Sequence, residues 1–388
     1  MNGPEVPLAL YVHMPWCVRK CPYCDFNSHQ LKAAAPDPAY IDALIADFDM
    51  ELPLVAGRRI GTLFFGGGTP SLFAPAQIGR LLHALKQRID FAADAEITLE
   101  ANPGTIERGR FAQYRDAGIN RVSLGAQSFS ARALEALGRI HTPDDTRLAV
   151  EELRAAGLSN FNLDLMYALP QQTTLQALAD VDEACALRPA HISYYHLTLE
   201  PGTVFHARPP ALPDEDAAWD MQAAGQRVLA QAGYAQYEVS AYALAGARCR
   251  HNLNYWLFGD YVGIGAGAHG KLSLQLPDRV LRTAKPRQPR DYQAAISAAT
   301  APVGERTVVA AEQLPFEFML NALRLNEGFT AEVFRERTGL ALDSVASLLE
   351  RARTRGLLQP LAAVAGAGWA PTALGRRFLT DLQADFLD

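Results

Sequence analysis

Three cysteines lie within eight positions near the start of the sequence, at Cys17, Cys21 and Cys24. The chain of 388 residues has five cysteines in all, and the other two, Cys185 and Cys249, stand alone. Thiolates are soft ligands that suit zinc and iron–sulfur centres. In a reducing compartment such a cluster indicates metal or redox chemistry and not a disulfide framework.

The loop alone leaves the bound group open. A cubane cluster has four irons and normally takes four cysteines, so three cysteines leave one iron free for an outside ligand. A zinc ion could instead take the three cysteines with His13 or His29 as its fourth ligand. Cys21 and Cys24 could also form a redox dithiol, although the third cysteine makes that interpretation uneconomical.

The elements that must position this loop are strand-like runs, each followed by a helical pattern. Six such βα repeats predict a parallel sheet with helices outside it. Eight repeats would close a regular barrel, so six predict an incomplete barrel or an open doubly wound sheet, with reactive groups at the carboxyl ends of the strands. The six runs are Leu8–Val12, Thr62–Phe65, Glu96–Glu100, Arg121–Leu124, Phe161–Leu165 and His191–Tyr195.

Apolar spacing and proline positions predict the remaining elements. Residues from about 310 onward are typical of a small winged-helix-like unit, and its Arg351, Arg353 and Arg355 are interpreted as a solvated helix face instead of a DNA contact. We divide the chain into residues 1–235, 236–300 and 301–388. The predicted elements are helices over 41–48, 78–85, from 144 and over 214–233, a strand over 237–240, a loop and then a glycine-rich segment ending at 270, a surface connection over 277–290, helices around 320–325 and 345–349, a strand at 357–358 and a last helix near 371.

Polar and glycine residues recur where the predicted strands end. Gly66-Gly67-Gly68-Thr69-Pro70 follows the second strand, and its glycines would let the backbone approach a ligand closely. Glu100 ends the third strand, Gln127 follows the fourth, Asp164 lies in the fifth, and Arg139 is in a loop between them. Together these groups provide the donors and acceptors that a zwitterionic amino acid and a ribose require.

The spacing C-x3-C-x2-C with Tyr23 before the last cysteine resembles the signature of radical S-adenosylmethionine (SAM) proteins. The resemblance implies an incomplete (β/α)6 barrel and a [4Fe-4S] cluster on Cys17, Cys21 and Cys24. It also implies that the open iron binds the amino and carboxylate groups of SAM, whose reductive cleavage yields a 5′-deoxyadenosyl radical. By the same resemblance the SAM contacts are Tyr11, Tyr23, Gly67, Gly68, Thr69, Glu100, Gln127, Arg139, Asp164 and Thr198.

Within that family, residues 21–29, 123–129 and 164–170 are similar to the branch around oxygen-independent coproporphyrinogen III dehydrogenase. Phe26 stands where the dehydrogenase has a further cysteine, and Cys17 lies close to the start where the dehydrogenase has an extension. Both departures put the decarboxylation in doubt. Whether SAM is cleaved stays open.

A closer resemblance is to the HemW-type heme chaperones, whose H-N-x-x-Y-W string is present as residues 251–256. It implies heme binding with His251 as the leading iron ligand, since a neutral imidazole can ligate iron. Tyr255 and Trp256 offer flat apolar surface to a porphyrin, and Asn252 could orient the imidazole. Cys249 is an alternative ligand, and the same string could equally be an aromatic anchor that packs a loop on the barrel.

The segment Gly263–Gly270 invites comparison with a dinucleotide-binding loop, but no clear strand–glycine–helix unit or downstream acid accompanies it. We interpret it as a turn near the adenine end of the cofactor. His269 within it could be a second heme ligand, although the pattern favours a hydrogen-bonded structural histidine.

Composition limits the partners. Apolar residues make up 49% of the chain, which excludes a disordered protein, and 36 basic against 42 acidic residues give a net charge of −6, with no general attraction for nucleic acid. No apolar run is long enough to span a bilayer, and residues 1–5 lack the basic region of a signal peptide, so we expect a cytoplasmic protein. The expected partners are heme and an unidentified acceptor protein; peripheral membrane contact and a homodimer stay open. The function favoured is heme chaperone, with the dehydrogenase or another radical SAM oxidoreductase, or a zinc-stabilised structural protein, as alternatives.

Overall fold

The computed structural model describes residues 6–32, 36–104, 109–361 and 367–387. Residues 1–5, for which we expect no signal peptide, lie outside the described part. The strands are β1 Leu8–Met14, β2 Trp16–Cys17, β3 His29–Gln30, β4 Arg59–Gly67, β5 Asp90–Ala101, β6 Arg121–Gln127, β7 Phe161–Tyr167, β8 His191–His196, β9 Ala235–Gln236, β10 Ala241–Ala243, β11 Asp260–Ile264, β12 His269–Gln275, β13 Arg279–Ala284, β14 Glu305–Val309, β15 Phe329–Thr330, β16 Leu358–Pro360 and β17 Gly368–Pro371.

The helices cover the sheet and form most of the C-terminal unit. They are α1 Ala39–Val55, α2 Pro75–Lys86, α3 Phe111–Ala117, α4 Ala131–Ala136, α5 Pro143–Ala155, α6 Thr174–Ala186, α7 Val204–Ala207, α8 Glu215–Gln231, α9 Arg250–Trp256, α10 Pro289–Ala298, α11 Leu314–Ala322, α12 Ala331–Thr338, α13 Ala346–Thr354, α14 Ala373–Arg377 and α15 Leu379–Ala384. Short 3-10 turns span Pro70–Leu72, Ala311–Gln313 and Leu342–Val345.

One twelve-stranded sheet organises the molecule, in the order β14-β13-β12-β11-β1-β4-β5-β6-β7-β8-β10-β9. The six predicted strands are β1 and β4 to β8, and each pairs in parallel with the next. Over the described residues β14 and β9 are free edges, so the sheet stays open. This confirms the α/β class and the incomplete barrel.

Local sequence signals explain where the helices begin. Pro143 occupies the first turn of α5, and the Thr142 hydroxyl accepts the N–H of Asp145 while the Asp145 carboxylate accepts the N–H of Thr142. Asp214 caps α8 in the same way by accepting the N–H of Ala217. The predicted helices over 41–48, 78–85, from 144 and over 214–233 are confirmed.

Three predictions between residues 235 and 290 are wrong in detail. Residues 237–240 are not a strand but the turn between β9 and β10, because the Glu238 carboxylate accepts both the N–H and the hydroxyl of Ser240. Residues 277–290 include β13, since the prolines flank this strand and its Val280 and Leu281 are buried. The segment before the glycine-rich turn is β11, a seventh parallel strand beside β1.

The C-terminal unit packs α11 to α15 around a three-stranded sheet of order β15-β17-β16. Its core is aromatic, and Phe318 lies edge-on to Phe329 and Phe334 at 5.1 Å between ring centroids. The arginines of α13 are exposed and bonded to Glu350 and Asp385, as expected of a solvated face. Leu323 and Leu325 lie just beyond the end of α11, and the predicted divisions at residues 235 and 300 stay predictions.

A buried ion network fastens α1 to the antiparallel extension of the sheet. The Lys285 ammonium donates to Asp47 at 2.5 Å and to Glu51 at 2.7 Å, and the Lys285 side chain is fully buried. Tyr292 of α10 also donates to Asp47 at 2.8 Å. Burial raises the pKa of Asp47, while the charge of Lys285 acts in the opposite direction. Loss of the lysine would leave two carboxylates buried without their cation.

We expect Lys285→Met to lower the free energy of unfolding by about 3–5 kcal/mol, because removing one partner of a buried ion pair leaves the other uncompensated. Arg88→Met is the matched control, since Arg88 pairs with Asp49 at the surface, and such pairs contribute about 1 kcal/mol or less. Urea denaturation followed by circular dichroism measures both. Equal losses in the two variants would contradict a structural role for the buried network.

Candidate functional site

A cavity of about 490 Å³ opens at the carboxyl ends of the parallel strands. It brings together predicted residues from Cys17 to Thr198, which are far apart in the sequence. Twelve of the predicted cluster and SAM residues line it: Cys17, Cys21, Tyr23, Cys24, Gly67, Gly68, Thr69, Glu100, Gln127, Arg139, Asp164 and Thr198. Tyr11 lines the neighbouring cavity described below.

The three thiols enter this cavity from one loop. Cys17 ends β2, and a tight turn follows in which the N–H of Cys24 donates to the carbonyl of Cys21 at 3.2 Å. Each sulfur lies near a polar side chain: Thr69 Oγ1 is 3.6 Å from Cys17, Arg139 Nη1 is 3.7 Å from Cys21, and Ser28 Oγ is 3.7 Å from Cys24. Burial raises the pKa of the Cys17 thiol to about 11. Metal binding at these thiols would therefore release protons.

The alternative zinc ligands are engaged elsewhere. Nδ1 of His13 lies 3.0 Å from the Tyr11 hydroxyl, and Nε2 lies 2.9 Å from the carbonyl of Asn27. His29 lines a different surface cavity. Within the described residues, no set of three or more His, Cys, Asp or Glu side chains is arranged to hold a single metal ion such as zinc. Ligation by His13 would require the hydrogen bond at the ligating nitrogen to break.

The glycines at the end of β4 are required by contacts with β1 and β2. Gly67 has a φ of 114°, and a Cβ there would lie 2.5 Å from the imidazole of His13. A Cβ on Gly68 would lie 2.5 Å from the carbonyl oxygen of Trp16. The glycines therefore allow β4 to approach neighbouring protein backbone closely. In this position the N–H of Gly67 donates to Glu100 Oε2 at 3.2 Å.

Two carboxyl groups lie in the floor of the cavity. The pKa of Glu100 is raised to about 8, because burial and the negative charge of Asp164 together outweigh the hydrogen bond from Gly67. Burial also raises the pKa of Asp164, which accepts from Asn162 at 2.7 Å and from Ser123 at 3.3 Å. The site is therefore suited to a ligand that brings positive charge, since a cation would favour the ionised carboxylates.

Gln127 is held in an unusual conformation at the end of β6. Its φ is 66°, and the pairing of β6 with β7 shifts register between Leu124 and Gln127. Tyr195 of β8 donates to Gln127 Oε1 at 2.6 Å, which fixes the amide in the cavity wall. A non-glycine residue with positive φ is costly and is found most often at functional sites.

Sequence reasoning missed two residues that hold this arrangement. Asn102 donates to Thr69 Oγ1 at 2.8 Å and accepts from Arg139, so one amide joins two of the predicted contacts. Tyr195 was the other omission. Asn102 could have been found from the sequence, because it stands two positions after Glu100 and so lies on the same face at the strand end. Tyr195 could not, because nothing in the sequence distinguishes it from other tyrosines in strands.

A second cavity of about 640 Å³ adjoins the first. The two share Phe26, Gly67 and Glu100 as lining residues. Its other walls come from β1, α9, α11 and the antiparallel extension of the sheet with the loop that follows it. Among them are Tyr11, His13, Tyr255, Trp256, His269, Arg282 and Arg287.

The His251–Trp256 string forms α9, not a loop, and faces this cavity with Tyr255 and Trp256. His251 itself is buried, with Nδ1 2.9 Å from Thr62 Oγ1 and Nε2 3.0 Å from the Tyr255 hydroxyl. Burial lowers its pKa to about 3. The expectation that Asn252 orients the imidazole is wrong, because Thr62 and Tyr255 hold both ring nitrogens.

Cys249 precedes this helix and is also buried. Its thiol donates to Glu96 Oε1 over 3.7 Å, and the Glu96 carboxylate accepts the backbone N–H groups of Arg250 and His251 as well. Glu96 therefore caps α9 from the neighbouring sheet, since carboxylates satisfy the free N–H groups at a helix N-terminus. Burial raises the pKa of the Cys249 thiol to about 11.

Comparison with known proteins gives a consistent result. Residues 11–184 match the Radical SAM superfamily, and residues 309–378 match the HemN C-terminal domain. The chain is 48% identical to the heme chaperone HemW of Escherichia coli over 98% of both chains, and 45% identical to that of Haemophilus influenzae over the same shares. A solved structure of coproporphyrinogen III oxidase (HemN) from Escherichia coli, described as a radical SAM enzyme, superposes with a TM-score of 0.83 at 24% identity, covering 98% of this chain and 90% of that one.

The structural match confirms the radical SAM fold. Within the described ranges, no helix is both long enough and apolar enough to cross a membrane.

We expect Glu100→Gln to stabilise the metal-free protein increasingly as pH rises from about 5 to 8. The Glu100 carboxyl has a raised pKa in the folded state, so the native protein holds a proton that the unfolded chain releases, and its stability falls as pH rises through this window. Glutamine has no such cost. Melting temperatures at pH 5, 6.5 and 8 should diverge by on the order of 2 °C or more at pH 8. Glu135→Gln, at an exposed position of α4, should show no divergence, and a constant difference for Glu100→Gln would contradict the raised pKa.

Proposed function

The chain belongs to the radical SAM family of HemW-type heme chaperones, and on that premise we propose that it binds heme and passes it to an acceptor protein. Full-length similarity to proteins named heme chaperone HemW supports the proposal. The observation that carries it is the cavity of about 640 Å³ beside the cysteine loop, faced by Tyr255 and Trp256. Its volume falls in the range of roughly 300–1,000 Å³ that ligand sites occupy.

The cysteine cavity holds, in this proposal, a [4Fe-4S] cluster on Cys17, Cys21 and Cys24. The donor set fits, because three thiols face one space and Thr69 and Arg139 lie within 3.6 and 3.7 Å of two of their sulfurs. Donors of this kind tune a cluster through hydrogen bonds to sulfur. A cluster with one iron free of cysteine supplies a binding position for SAM and an electron for its reduction.

The protein groups around that position are assigned to SAM by their chemistry. Glu100 and Asp164 provide acceptors for an ammonium and for ribose hydroxyl groups, and burial in the cavity floor strengthens both interactions. Arg139, Gln127 and Thr198 add polar contacts around the wall. The remaining proposed contacts are Tyr11, Tyr23, Gly67, Gly68 and Thr69.

The heme cavity combines apolar and cationic surface. Phe26 is 59% exposed, and Tyr255 and Trp256 are half-buried beside it, so a flat porphyrin would cover aromatic surface that otherwise faces water. Arg282 and Arg287 line the same cavity and offer charge to carboxylate groups. This pairing of aromatic and guanidinium groups is what a propionate-bearing macrocycle requires.

Of the three iron ligands considered from the sequence, His251 and Cys249 are buried, and both stay predictions. Coordination by His251 would require Nε2 to leave the Tyr255 hydroxyl, and coordination by Cys249 would require its thiol to leave Glu96. Both side chains are about 1% exposed. Heme binding itself does not depend on either assignment, because the cavity is lined by other groups.

We place the protein in the cytoplasm, because three thiols reserved for a metal centre need a reducing compartment. Its acceptor is an unidentified heme protein, and a homodimer and a peripheral membrane contact stay predictions. Phe26 at the cavity wall, where the dehydrogenase has a cysteine, favours a chaperone over coproporphyrinogen decarboxylation.

We expect Cys24→Ala to prevent cluster assembly. Anaerobic reconstitution of the wild type should give about four irons per chain and a brown protein, as a cubane cluster requires, and the variant should retain less than about one iron. Cys185→Ala is the control, since Cys185 lies on α6 and lines neither cavity. Full iron content in Cys24→Ala, or one zinc per chain in the wild type, would contradict the assignment.

Heme titration and transfer test the function. We expect the purified protein to bind heme with a Soret band and to pass it to a heme-depleted b-type heme protein. Trp256→Leu should weaken heme binding about tenfold through loss of aromatic surface. Trp219→Leu is the matched control, because each tryptophan lies beneath an arginine, Trp219 beneath Arg377 and Trp256 beneath Arg324.

The same preparation, supplied with SAM, a reductant and coproporphyrinogen III, should form no protoporphyrinogen. Steady turnover in that assay, or failure of the wild type to bind heme, would overturn the proposed function.

A further inference from the structure

Two imidazoles are among the residues that line the heme cavity, and they differ in their availability. Both ring nitrogens of His13 are engaged, with Tyr11 and with the carbonyl of Asn27. His269, the first residue of β12, is exposed to the same cavity. Its ring makes no hydrogen bond to any residue in the described part of the chain. A lone pair is therefore available at His269 and not at His13.

The position of His269 is set by rigid backbone. It pairs with Ala284 of β13, and the carbonyl of Ala268 just before it accepts the N–H of Lys285, whose side chain is the cation of the buried ion network. The turn that precedes it is tight, because Gly265 and Gly267 have φ values of 104° and 78°. The His269 ring therefore lies on a strand, next to the buried ion network of Lys285. Side chains on strands are held more firmly than those on loops.

Two guanidinium groups that could bind an anion line the same cavity as this imidazole. Arg282 lines the cavity and is already paired with Glu317 and bonded to the Tyr261 hydroxyl. Arg287 also lines the cavity, is exposed, and forms no ion pair with a described residue. A guanidinium without a carboxylate partner is available for bidentate binding of a carboxylate from outside.

We propose that His269 is the axial ligand of the heme iron in this cavity, with Arg287 binding a propionate and His251 acting as a positioning residue that holds Tyr255 against the porphyrin. The inference rests on the proposed function and deepens it by assigning the iron ligand. Coordination requires only the lone pair of neutral His269 and breaks no hydrogen bond of the folded chain. His251 in this arrangement orients the Tyr255 ring through the 3.0 Å contact between Nε2 and the hydroxyl.

The test is a heme titration of the full-length protein with a spectroscopic readout of the axial ligand. The wild type should show an imidazole-ligated spectrum. His269→Ala should lose that signature and bind heme at least about tenfold more weakly, and added imidazole should restore the spectrum. His269→Met should retain heme with a shifted spectrum and a higher reduction potential, as a thioether ligand produces.

Two further variants separate the roles. His251→Ala should weaken binding through Tyr255 but keep the imidazole signature. His206→Ala, at an exposed histidine of α7 outside both cavities, should change nothing. Heme binding by the wild type with an unchanged spectrum in His269→Ala and a lost signature in His251→Ala would overturn this inference and leave the proposed function standing. No heme binding by the wild type would overturn both.

Discussion

Both cavities depend on the backbone pairing of one strand, β1, with β4 on one side and β11 on the other. After β1 the chain continues into the cysteine loop. β4 ends in Gly67, and β11 leads into the turn at Gly265. A Cβ on Gly67 would collide with the His13 ring and one on Gly265 with the His13 carbonyl, so three backbones meet at a single point. The cluster loop and the wall of the larger cavity therefore share one anchor.

Below the cavities, several buried polar side chains of the sheet form a continuous row of hydrogen bonds. Asn162 donates to Asp164, and its amide oxygen lies 2.6 Å from Nδ1 of His191. Nε2 of His191 lies 2.8 Å from the Tyr237 hydroxyl, which accepts the N–H of Cys249. The chain of bonds runs from the floor of the cysteine cavity to the start of α9. Satisfied networks of this kind hold a unique geometry, because each buried group would be costly without its partner.

The sequence predicted the repeating part of the fold and the cysteine cavity well, since both follow local rules. Strands followed by helices are visible as periodicity, and the carboxyl ends of parallel strands must meet, which is why Cys17, Glu100 and Asp164 could be grouped in advance. Failures occurred where individual contacts override the apolar pattern: Glu238 folds residues 237–240 into a turn through its neighbour Ser240, and the prolines around β13 mark its ends and not a loop. Periodicity also cannot say that Thr62, 189 residues away, occupies a nitrogen of His251.

The wall shared by the two cavities brings their chemistries together. Phe26 extends the cysteine loop into the larger cavity with more than half of its side chain exposed, and burying such a ring is worth about 1.5–3 kcal/mol. Glu100 lies in the same wall and accepts a hydrogen bond from Gly67. Burial raises the pKa of the nearby Tyr11 hydroxyl, and the charge of Glu100 adds to that shift. A cation in the smaller cavity would favour the ionised form of Glu100 and so change the charge that faces the larger one. Because one carboxylate and one aromatic ring border both spaces, cofactor and cargo bound as proposed would be physically coupled through this wall without any movement of the sheet.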